Sequence, residues 1–248
     1  MKPLCDYHTH TTYSDGKDTP EEMVLSAIEK GLNEMGFSDH SYTFFDESYC
    51  IKKDRIAEYK SEIARLKAKY SDKIKILCGI EQDFYSAESV DEYDYAIGSV
   101  HYVKVRDKFF PVDESAERFE KIINEVFSGD VYAFIKEYYN TVAMFAERQE
   151  IEIIGHFDLI AKFNEKHGFF DENDARYISA WKTAADKLIG ANKVFEINTG
   201  AVSRGHKTVP YPSDIIRDYI KSEGGKFILS SDSHNKDTLC FGFIKYDK

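Results

Sequence analysis

Histidines and carboxylates recur along this chain in short clusters, and each cluster directly follows a short apolar run. The clusters are His8-Thr9-His10, Ser38-Asp39-His40, Gly79-Ile80-Glu81, Gly98-Ser99-Val100-His101, Gly155-His156-Phe157-Asp158 and Ser231-Asp232-Ser233-His234. Of the eight histidines in the chain, only His167 and His206 fall elsewhere. Neutral imidazole together with carboxylate suits zinc, iron or manganese better than magnesium or calcium. The pattern therefore predicts a site for divalent transition-metal ions.

A catalytic metal site explains this pattern better than a structural site or scattered polar residues. A lone histidine near a strand end is more often an ordinary polar residue than a ligand, but a whole series at corresponding positions is a different matter. His8 and His10 stand two residues apart, so on a strand both imidazoles project to one face and can reach one ion. Structural zinc sites are closed and usually rich in cysteine. Crowded imidazoles and carboxylates would be costly to bury without cations.

Short apolar runs alternate with amphipathic stretches, as in an α/β protein with a parallel sheet. Strands are predicted over 4–7, 34–37, 74–80, 93–100, 151–155, 194–198 and 227–230, and helices over 20–30, 51–70, 115–127, 131–149, 173–189 and 213–222. The first helix has the clearest signals, with Thr19 as N-cap, Pro20 at its first position and Gly31 as its stop. Seven such units predict a closed or nearly closed barrel, and we expect a single domain over residues 1–248. The C-terminal ends of barrel strands converge on one face, which would bring the histidine clusters together.

The composition argues against two classes of partner. The 248-residue chain has a formal net charge of -11 and a pI near 5.3, and it lacks the lysine and arginine blocks of a nucleic-acid-binding face. The N-terminus reaches the charged Asp6 too early for a signal peptide, and no apolar run approaches the roughly 20 residues that cross a bilayer. We therefore expect a soluble, cytoplasmic protein that binds a small phosphorylated substrate, and neither nucleic acid nor a membrane.

The ordered clusters resemble the successive motifs of the polymerase and histidinol phosphatase (PHP) superfamily. The matching segments are His8-Thr9-His10-Thr11-Thr12-Tyr13-Ser14-Asp15-Gly16, Ser38-Asp39-His40, Gly79-Ile80-Glu81, Gly98-Ser99-Val100-His101, Gly155-His156-Phe157-Asp158-Leu159 and Ser231-Asp232-Ser233-His234. Each segment alone is a weak signal, but the set spans residues 8–234 in the family's order. The resemblance implies a distorted seven-stranded (β/α)7 barrel, similar to a TIM barrel, with two or three divalent ions (Zn, Mn or Fe).

The resemblance also implies which residues bind these ions. One ion would be held by His8, His10, Glu81 and Asp232; a second would share Glu81 and add His101 and His156; a third would take Asp15, His40 and His234. Some superfamily members have histidine in place of Asp15, and aspartate keeps a ligand there while changing its charge. A typical member continues beyond the last motif with a closing segment, whereas this chain ends at Lys248. The resemblance therefore does not predict whether the last helix of the barrel is present.

Within the superfamily, the chain most resembles the stand-alone histidinol-phosphate phosphatases. The similarity lies in its length and in Glu196-Ile197-Asn198-Thr199-Gly200 followed by Arg204. It implies hydrolysis of L-histidinol phosphate to L-histidinol and phosphate by a hydroxide that bridges two ions, since coordination lowers the pKa of water from about 15.7 towards neutrality. Glu81, Asp232 and His234 would then be the catalytic residues.

Four further residues receive predicted roles. Arg204 is the candidate that neutralises the phosphate oxygens, because a guanidinium matches them in a fork, but a surface arginine in a glycine-containing loop fits the sequence equally well. His206 could bind substrate and protonate the leaving alkoxide, or it could face solvent. Asp39 and Asp158 each adjoin a predicted ligand and are expected to orient imidazoles.

The loops over 41–51 and 103–113 are expected to set substrate specificity at the mouth of the barrel. Their aromatic residues are Tyr42, Phe44, Phe45, Tyr49, Phe109 and Phe110. We expect most of these to pack locally and one or two to cover a ligand.

Two other functions compete with a small-molecule phosphatase. A PHP-type nuclease or phosphoesterase acting on nucleotides or nucleic-acid 3′ ends would use the same chemistry, but the net charge of -11 disfavours it. A non-catalytic metal-binding module would be expected to have lost ligands, whereas every motif position here carries a competent one. The native metals and the oligomeric state are left open.

Overall fold

The computed structural model describes residues 4–246, and its largest element is a sheet of seven parallel strands. In chain order the strands are β1 Cys5–Asp6, β2 Glu34–Phe37, β3 Lys75–Asp83, β4 Tyr95–Ser99, β5 Tyr102–Val105, β6 Lys108–Pro111, β7 Ile153–Ile154, β8 Val194–Asn198 and β9 Lys226–Ser230. The large sheet has the order β1-β2-β3-β4-β7-β8-β9, and all its neighbouring pairs are parallel. β5 and β6 form a separate antiparallel hairpin.

Helices connect the strands and cover the outside of the sheet. They are α1 Pro20–Glu29, α2 Ile56–Lys69, α3 Ala116–Val126, α4 Val131–Ala143, α5 Asn164–His167, α6 Ala175–Gly190, α7 Gly200–Ser203, α8 Asp214–Ser222 and α9 Phe243–Tyr246. α1 begins as predicted, with a capping box between Thr19 and Glu22, and it is followed by Gly31 at φ 76°. Within residues 4–246, each helix is too short or too polar to cross a membrane.

The two ends of the large sheet are joined just beyond β1 and β9. Thr9 forms a parallel bridge with Ser233. The backbone N–H of His10 donates to the carbonyl of Ser233 at 2.8 Å, and the N–H of Ser233 donates to the carbonyl of His8 at 3.1 Å. The predicted seven-stranded, nearly closed α/β barrel is therefore confirmed, and its closure links the first histidine cluster to the last.

Two glycines leave space for the ring of Tyr95 beneath the mouth of the barrel. A Cβ atom at Gly36 or at Gly79 would overlap this ring. The Tyr95 hydroxyl donates to the carbonyl of Phe37 at 3.0 Å and also contacts the carbonyl of Tyr7. One side chain of β4 thus ties the neighbouring strands together below the histidine clusters.

The structure differs most clearly from the prediction in three elements. β3 continues to Asp83 and so carries Glu81 within the sheet. The predicted loop over 103–113 is wrong for most of its length, because apolar residues there pair as the hairpin β5–β6 around a turn with Arg106 at φ 56°. The predicted helix over 131–149 ends at Ala143 and continues only as a 3-10 segment, Met144–Glu147. After β9, the described chain forms a 3-10 segment and the short α9, and the single-domain assignment stays a prediction.

Candidate metal centre

Glu81 lies at the centre of the histidine clusters, and both of its carboxylate oxygens face imidazoles. Its side chain is fully buried at the C-terminal mouth of the barrel. Oε2 lies 3.3 Å from Nε2 of His8 and 2.8 Å from Nδ1 of His40. Oε1 lies 2.9 Å from Nε2 of His156 and 3.4 Å from Nε2 of His101. One carboxylate therefore connects two pairs of imidazoles, an arrangement that suits a ligand shared between two ions.

The first predicted ligand group is brought together by the hydrogen bonds that close the barrel. Oδ1 of Asp232 lies 3.3 Å from Nε2 of His10 and 3.8 Å from Nε2 of His8. Oε2 of Glu81 lies 3.6 Å from the same nitrogen of His10. Asp232 has a left-handed backbone with φ 50°, a conformation that aspartate tolerates better than most residues. This turn directs its carboxylate towards the two imidazoles.

The residues predicted to hold the third ion, Asp15, His40 and His234, also lie close together, and His10 joins them. Oδ2 of Asp15 lies 3.0 Å from Nε2 of His234, and Oδ1 lies 3.7 Å from Nε2 of His40 and 3.6 Å from Nδ1 of His10. Donor atoms of all four residues lie within 4.8 Å of one another, so they could hold an ion. The rings of His10 and His234 stack with their centroids 4.1 Å apart. His10 and His40 each present one nitrogen to this group and the other towards Glu81.

The residues predicted to hold the second ion, Glu81, His101 and His156, also lie close together, and His40 joins them. The ring centroids of His101 and His156 lie 5.1 Å apart, beside the carboxylate of Glu81. Donor atoms of His40, Glu81 and His101 lie within 4.8 Å of one another. Asp83 holds His101, because its Oδ2 atom accepts from the backbone N–H at 3.2 Å and lies 3.4 Å from Nδ1 of the ring. The sequence prediction placed His40 in the third group alone, whereas the geometry offers it to both.

Several buried ring nitrogens in this cluster have no hydrogen-bond partner among residues 4–246. They include Nε2 of His8 and both ring nitrogens of His10, and the two side chains are 0% exposed. Buried polar atoms in folded proteins almost always have a partner. Divalent cations would satisfy these nitrogens together with the neighbouring carboxylates, so the donor set fits a metal centre.

The electrostatics of the cluster favour the protonation states that metal ligands need at Glu81, Asp232 and His10. Burial opposes ionisation of Glu81, but His40 and its neighbours hold the pKa of this carboxyl well below its usual value. For Asp232, Arg204 overcomes the same effect of burial and lowers the pKa. Burial, and then the neighbouring imidazoles, lower the pKa of His10 to about 3. The carboxylates are therefore ionised, and His10 is neutral.

Glu196, in β8, fixes the orientation of His8 and was not assigned a role from the sequence. Its Oε1 atom accepts from Nδ1 of His8 at 2.7 Å, and its Oε2 atom accepts from the backbone N–H of His156 at 3.1 Å and from the amide of Asn198 at 3.0 Å. Burial opposes protonation, but Glu196 and Glu81 raise the pKa of His8 well above its usual value. A hydrogen bond at Nδ1 leaves Nε2 as the coordinating atom. An acidic residue inside an apolar strand was the available signal.

The prediction that Asp39 and Asp158 orient imidazoles is wrong. Asp39 accepts from the backbone N–H of Thr11 at 2.8 Å and from the hydroxyl groups of Thr11 and Ser14. Asp158 accepts from the backbone N–H of Ser213 at 3.0 Å. Asp39 directly precedes His40, and successive side chains on extended backbone point in opposite directions, so its carboxylate points away from the cluster. Asp39 instead organises the loop after the first cluster.

A cavity of about 560 Å³ opens onto the cluster, and both predicted substrate-binding residues line it. The guanidinium of Arg204 donates to the backbone carbonyl of Asp232 at 2.8 Å and to its Oδ2 atom at 3.0 Å. It also lies 3.1 Å from Nδ1 of His234, so Arg204 is part of the site and not an isolated surface residue. Burial, followed by Lys162 and Arg204, lowers the pKa of the half-buried His206.

Three of the six aromatic residues named in the two predicted loops pack against one another. Phe45 and Phe109 stack with ring centroids 3.8 Å apart, and Phe44 contacts both rings edge to face. Of the six aromatic residues named from the sequence, Tyr49 lines the cavity. Its ring lies 4.9 Å from that of His40. The local packing expected for most of these residues is therefore what the structure has.

Comparison with known proteins identifies the family of this chain. The family model of the PHP domain matches residues 6–200. The chain belongs to the PHP domain family. A histidinol-phosphatase of Lactococcus lactis subsp. lactis is 30% identical over 248 residues, which cover 94% of this PHP protein and 85% of the relative.

Two solved structures share the fold of this PHP protein. The histidinol phosphate phosphatase of Lactococcus lactis subsp. lactis, in complex with Zn, L-histidinol and phosphate, is 24% identical with a TM-score of 0.74 and covers 98% of this chain and 91% of its own. A protein of Listeria monocytogenes is 21% identical with a TM-score of 0.82, over 98% of this chain and 99% of that one.

Proposed function

We propose that this PHP protein is a metal-dependent phosphoric monoester hydrolase that converts L-histidinol phosphate to L-histidinol and phosphate. The observation that carries the proposal is the convergence of five imidazoles from four separate segments around Glu81, with buried ring nitrogens that have no hydrogen-bond partner among residues 4–246. The choice of substrate is supported by the relative from Lactococcus lactis, which is named a histidinol-phosphatase and is 30% identical.

The proposed centre holds two or three divalent ions of zinc, manganese or iron. Its ligands are His8, His10, Asp15, His40, Glu81, His101, His156, Asp232 and His234. When bound, the ions would stabilise charge on the phosphoryl group and lower the pKa of coordinated water enough to supply a nucleophile at neutral pH. Glu81, Asp232 and His234 belong to this donor set and also line the cavity, so they are the proposed catalytic residues.

Arg204 and His206 are the proposed substrate-binding residues. Arg204 is anchored by Asp232 and presents a guanidinium to the cavity, where it would neutralise phosphate oxygens. The lowered pKa of His206 means that this imidazole is neutral at physiological pH in the free protein. We therefore assign it a hydrogen bond to substrate, and not donation of the proton to the leaving alkoxide.

A small substrate suits this cavity better than a nucleic acid does. Asp46 and Glu114 line the cavity wall, and each would repel the phosphates that follow along a polynucleotide. The ammonium group of L-histidinol phosphate, in contrast, would be attracted to them. This charge distribution supports the phosphatase over the nuclease alternative.

Phosphate release from L-histidinol phosphate by the purified, zinc- or manganese-loaded protein tests the proposal. We expect turnover that is abolished in Glu81→Ala, since this change removes the carboxylate that faces five imidazoles. Glu150→Ala is the control, because that carboxylate lies in an exposed pair with Arg148 away from the cavity. A folded, metal-loaded protein that is inert towards L-histidinol phosphate and other phosphomonoesters would refute the function.

A further inference from the structure

Lys162 is a cation in the cavity wall that the metal centre does not use. It directly follows the 3-10 segment Leu159–Ala161, which comes after β7, and it lines the cavity together with Arg204 and His206. Its side chain is 16% exposed, so the ammonium group is mostly withdrawn from bulk water but still reaches the cavity. A lysine in this position needs a compensating partner.

Asp113 is that partner, and it satisfies only part of the ammonium group. Nζ of Lys162 donates to the backbone carbonyl of Asp113 at 2.9 Å and to its Oδ2 atom at 3.1 Å. An ammonium group has three N–H donors. Within residues 4–246, the structure gives the third donor no acceptor. Lys162 is therefore held in place with one donor left for a ligand.

The charge of Lys162 acts on the cavity from beside the metal centre. Lys162, Arg204 and His206 line the same cavity, and the two cations, after burial, lower the pKa of His206. The ion pair of Lys162 and Asp113 lines the same cavity as His101 and His156, and Lys162 and then His101 lower the pKa of Asp113 against the effect of burial. A phosphate that contacts the metal centre and Arg204 would lie within the field of this ammonium group.

We propose that Lys162 is a second phosphate-binding cation of the site, positioned by Asp113 so that its remaining N–H donates to a phosphoryl oxygen. This inference rests on the proposed function for the class of substrate, a phosphate monoester. The competing explanation is that Lys162 only neutralises Asp113. The two differ in the effect of Lys162 on the affinity for phosphate itself.

The first test measures binding of inorganic phosphate to the zinc-loaded protein by calorimetry. A hydrogen bond to a charged group makes Lys162→Met about 10- to 100-fold weaker in phosphate affinity. Lys162→Arg, which keeps the charge, should retain most of the affinity. Lys60→Met is the matched control, since Lys60 is also partly buried, at 25% exposure, and is paired with the carboxylate of Glu92 at 2.7 Å away from the cavity.

A second variant separates phosphate binding from a role in folding. Removing the lysine alone exposes the carboxylate of Asp113 to the bound phosphate, so the double variant Lys162→Met/Asp113→Asn should bind phosphate more tightly than Lys162→Met does. Wild-type phosphate affinity in a folded Lys162→Met protein would overturn the inference, as would a loss no larger than that in Lys60→Met. If the wild type binds phosphate through Lys162 but does not hydrolyse L-histidinol phosphate, the proposed function fails and this inference stands.

Discussion

Replacing Glu196 by glutamine should weaken zinc binding although the variant keeps nearly the same shape. The two oxygens of Glu196 accept three hydrogen bonds, from Nδ1 of His8 at 2.7 Å, the backbone N–H of His156 at 3.1 Å and the amide of Asn198 at 3.0 Å. Glutamine has one acceptor oxygen and one NH₂ group. At least one of the three donors must therefore face another donor in the variant.

The size of the effect follows from the burial of this contact. The side chains of His8 and Glu196 are 0% and 1% exposed, so water does not screen their interaction. A hydrogen bond to a charged group contributes about 1.5–3 kcal/mol, which corresponds to roughly a 10- to 100-fold change in an equilibrium constant. Replacing carboxylates that hold metal-binding histidines typically costs the same factor of about 10–100. We expect a loss of this size in both zinc affinity and kcat/KM.

Zinc affinity can be measured by competition with a chromophoric chelator, and kcat/KM by phosphate release at saturating zinc. Glu34→Gln is the control, since Glu34 pairs with Lys75 at 3.1 Å at the opposite end of the barrel. A Glu196→Gln protein with the zinc affinity of the wild type would refute the assigned role of Glu196. Reduced activity with unchanged zinc binding would also contradict the reasoning, because the effect is argued to act through His8.

Three further predictions concern the metal and the barrel. Chelation of the metal should lower the thermal unfolding midpoint by at least about 5 °C, because an ion at 100 times its Kd adds about 2.7 kcal/mol to the free energy of unfolding; an unchanged midpoint would count against coupling of the site to the fold. Zinc binding should release protons, and it should weaken as the pH falls through the raised pKa values of His8 and His101, which begins above the ordinary histidine pKa. Burial opposes protonation of both imidazoles, but Glu196 and Glu81 raise the pKa of His8 and Glu81 raises that of His101; calorimetry in buffers of different ionisation enthalpy would reveal proton uptake or no exchange if this is wrong. Gly79→Ala should lower the unfolding midpoint by about 2–12 °C through overlap with the ring of Tyr95, whereas a midpoint equal to that of the wild type would show that the ring has room to move.

The fold and the convergence of the histidines could be predicted because they depend on regular geometry. Parallel strands place their C-terminal ends on one face of a barrel, so side chains such as His8, Glu81 and Asp232 meet although they lie far apart in sequence. The start of α1 could also be predicted, since Thr19 and Glu22 form a local capping box that needs no tertiary contact. These features follow from spacing and residue type alone.

Other features depend on side-chain direction and on long-range packing, which spacing does not specify. Asp39 adjoins a predicted ligand, yet it turns away to hold the loop at Thr11. Glu196 lies outside the metal-ligand motifs, but pairing of the strands places it behind His8. The hairpin β5–β6 was missed because its apolar residues were interpreted as a loop with local packing.

The number and position of bound ions test the central claim most directly. Crystals grown with zinc should give anomalous diffraction peaks within about 2.0–2.2 Å of ring nitrogens and carboxylate oxygens in the cluster around Glu81. The account predicts two or three peaks, with one on each side of the Glu81 carboxylate. Peaks confined to the protein surface, or none near these side chains in a well-ordered crystal, would contradict it.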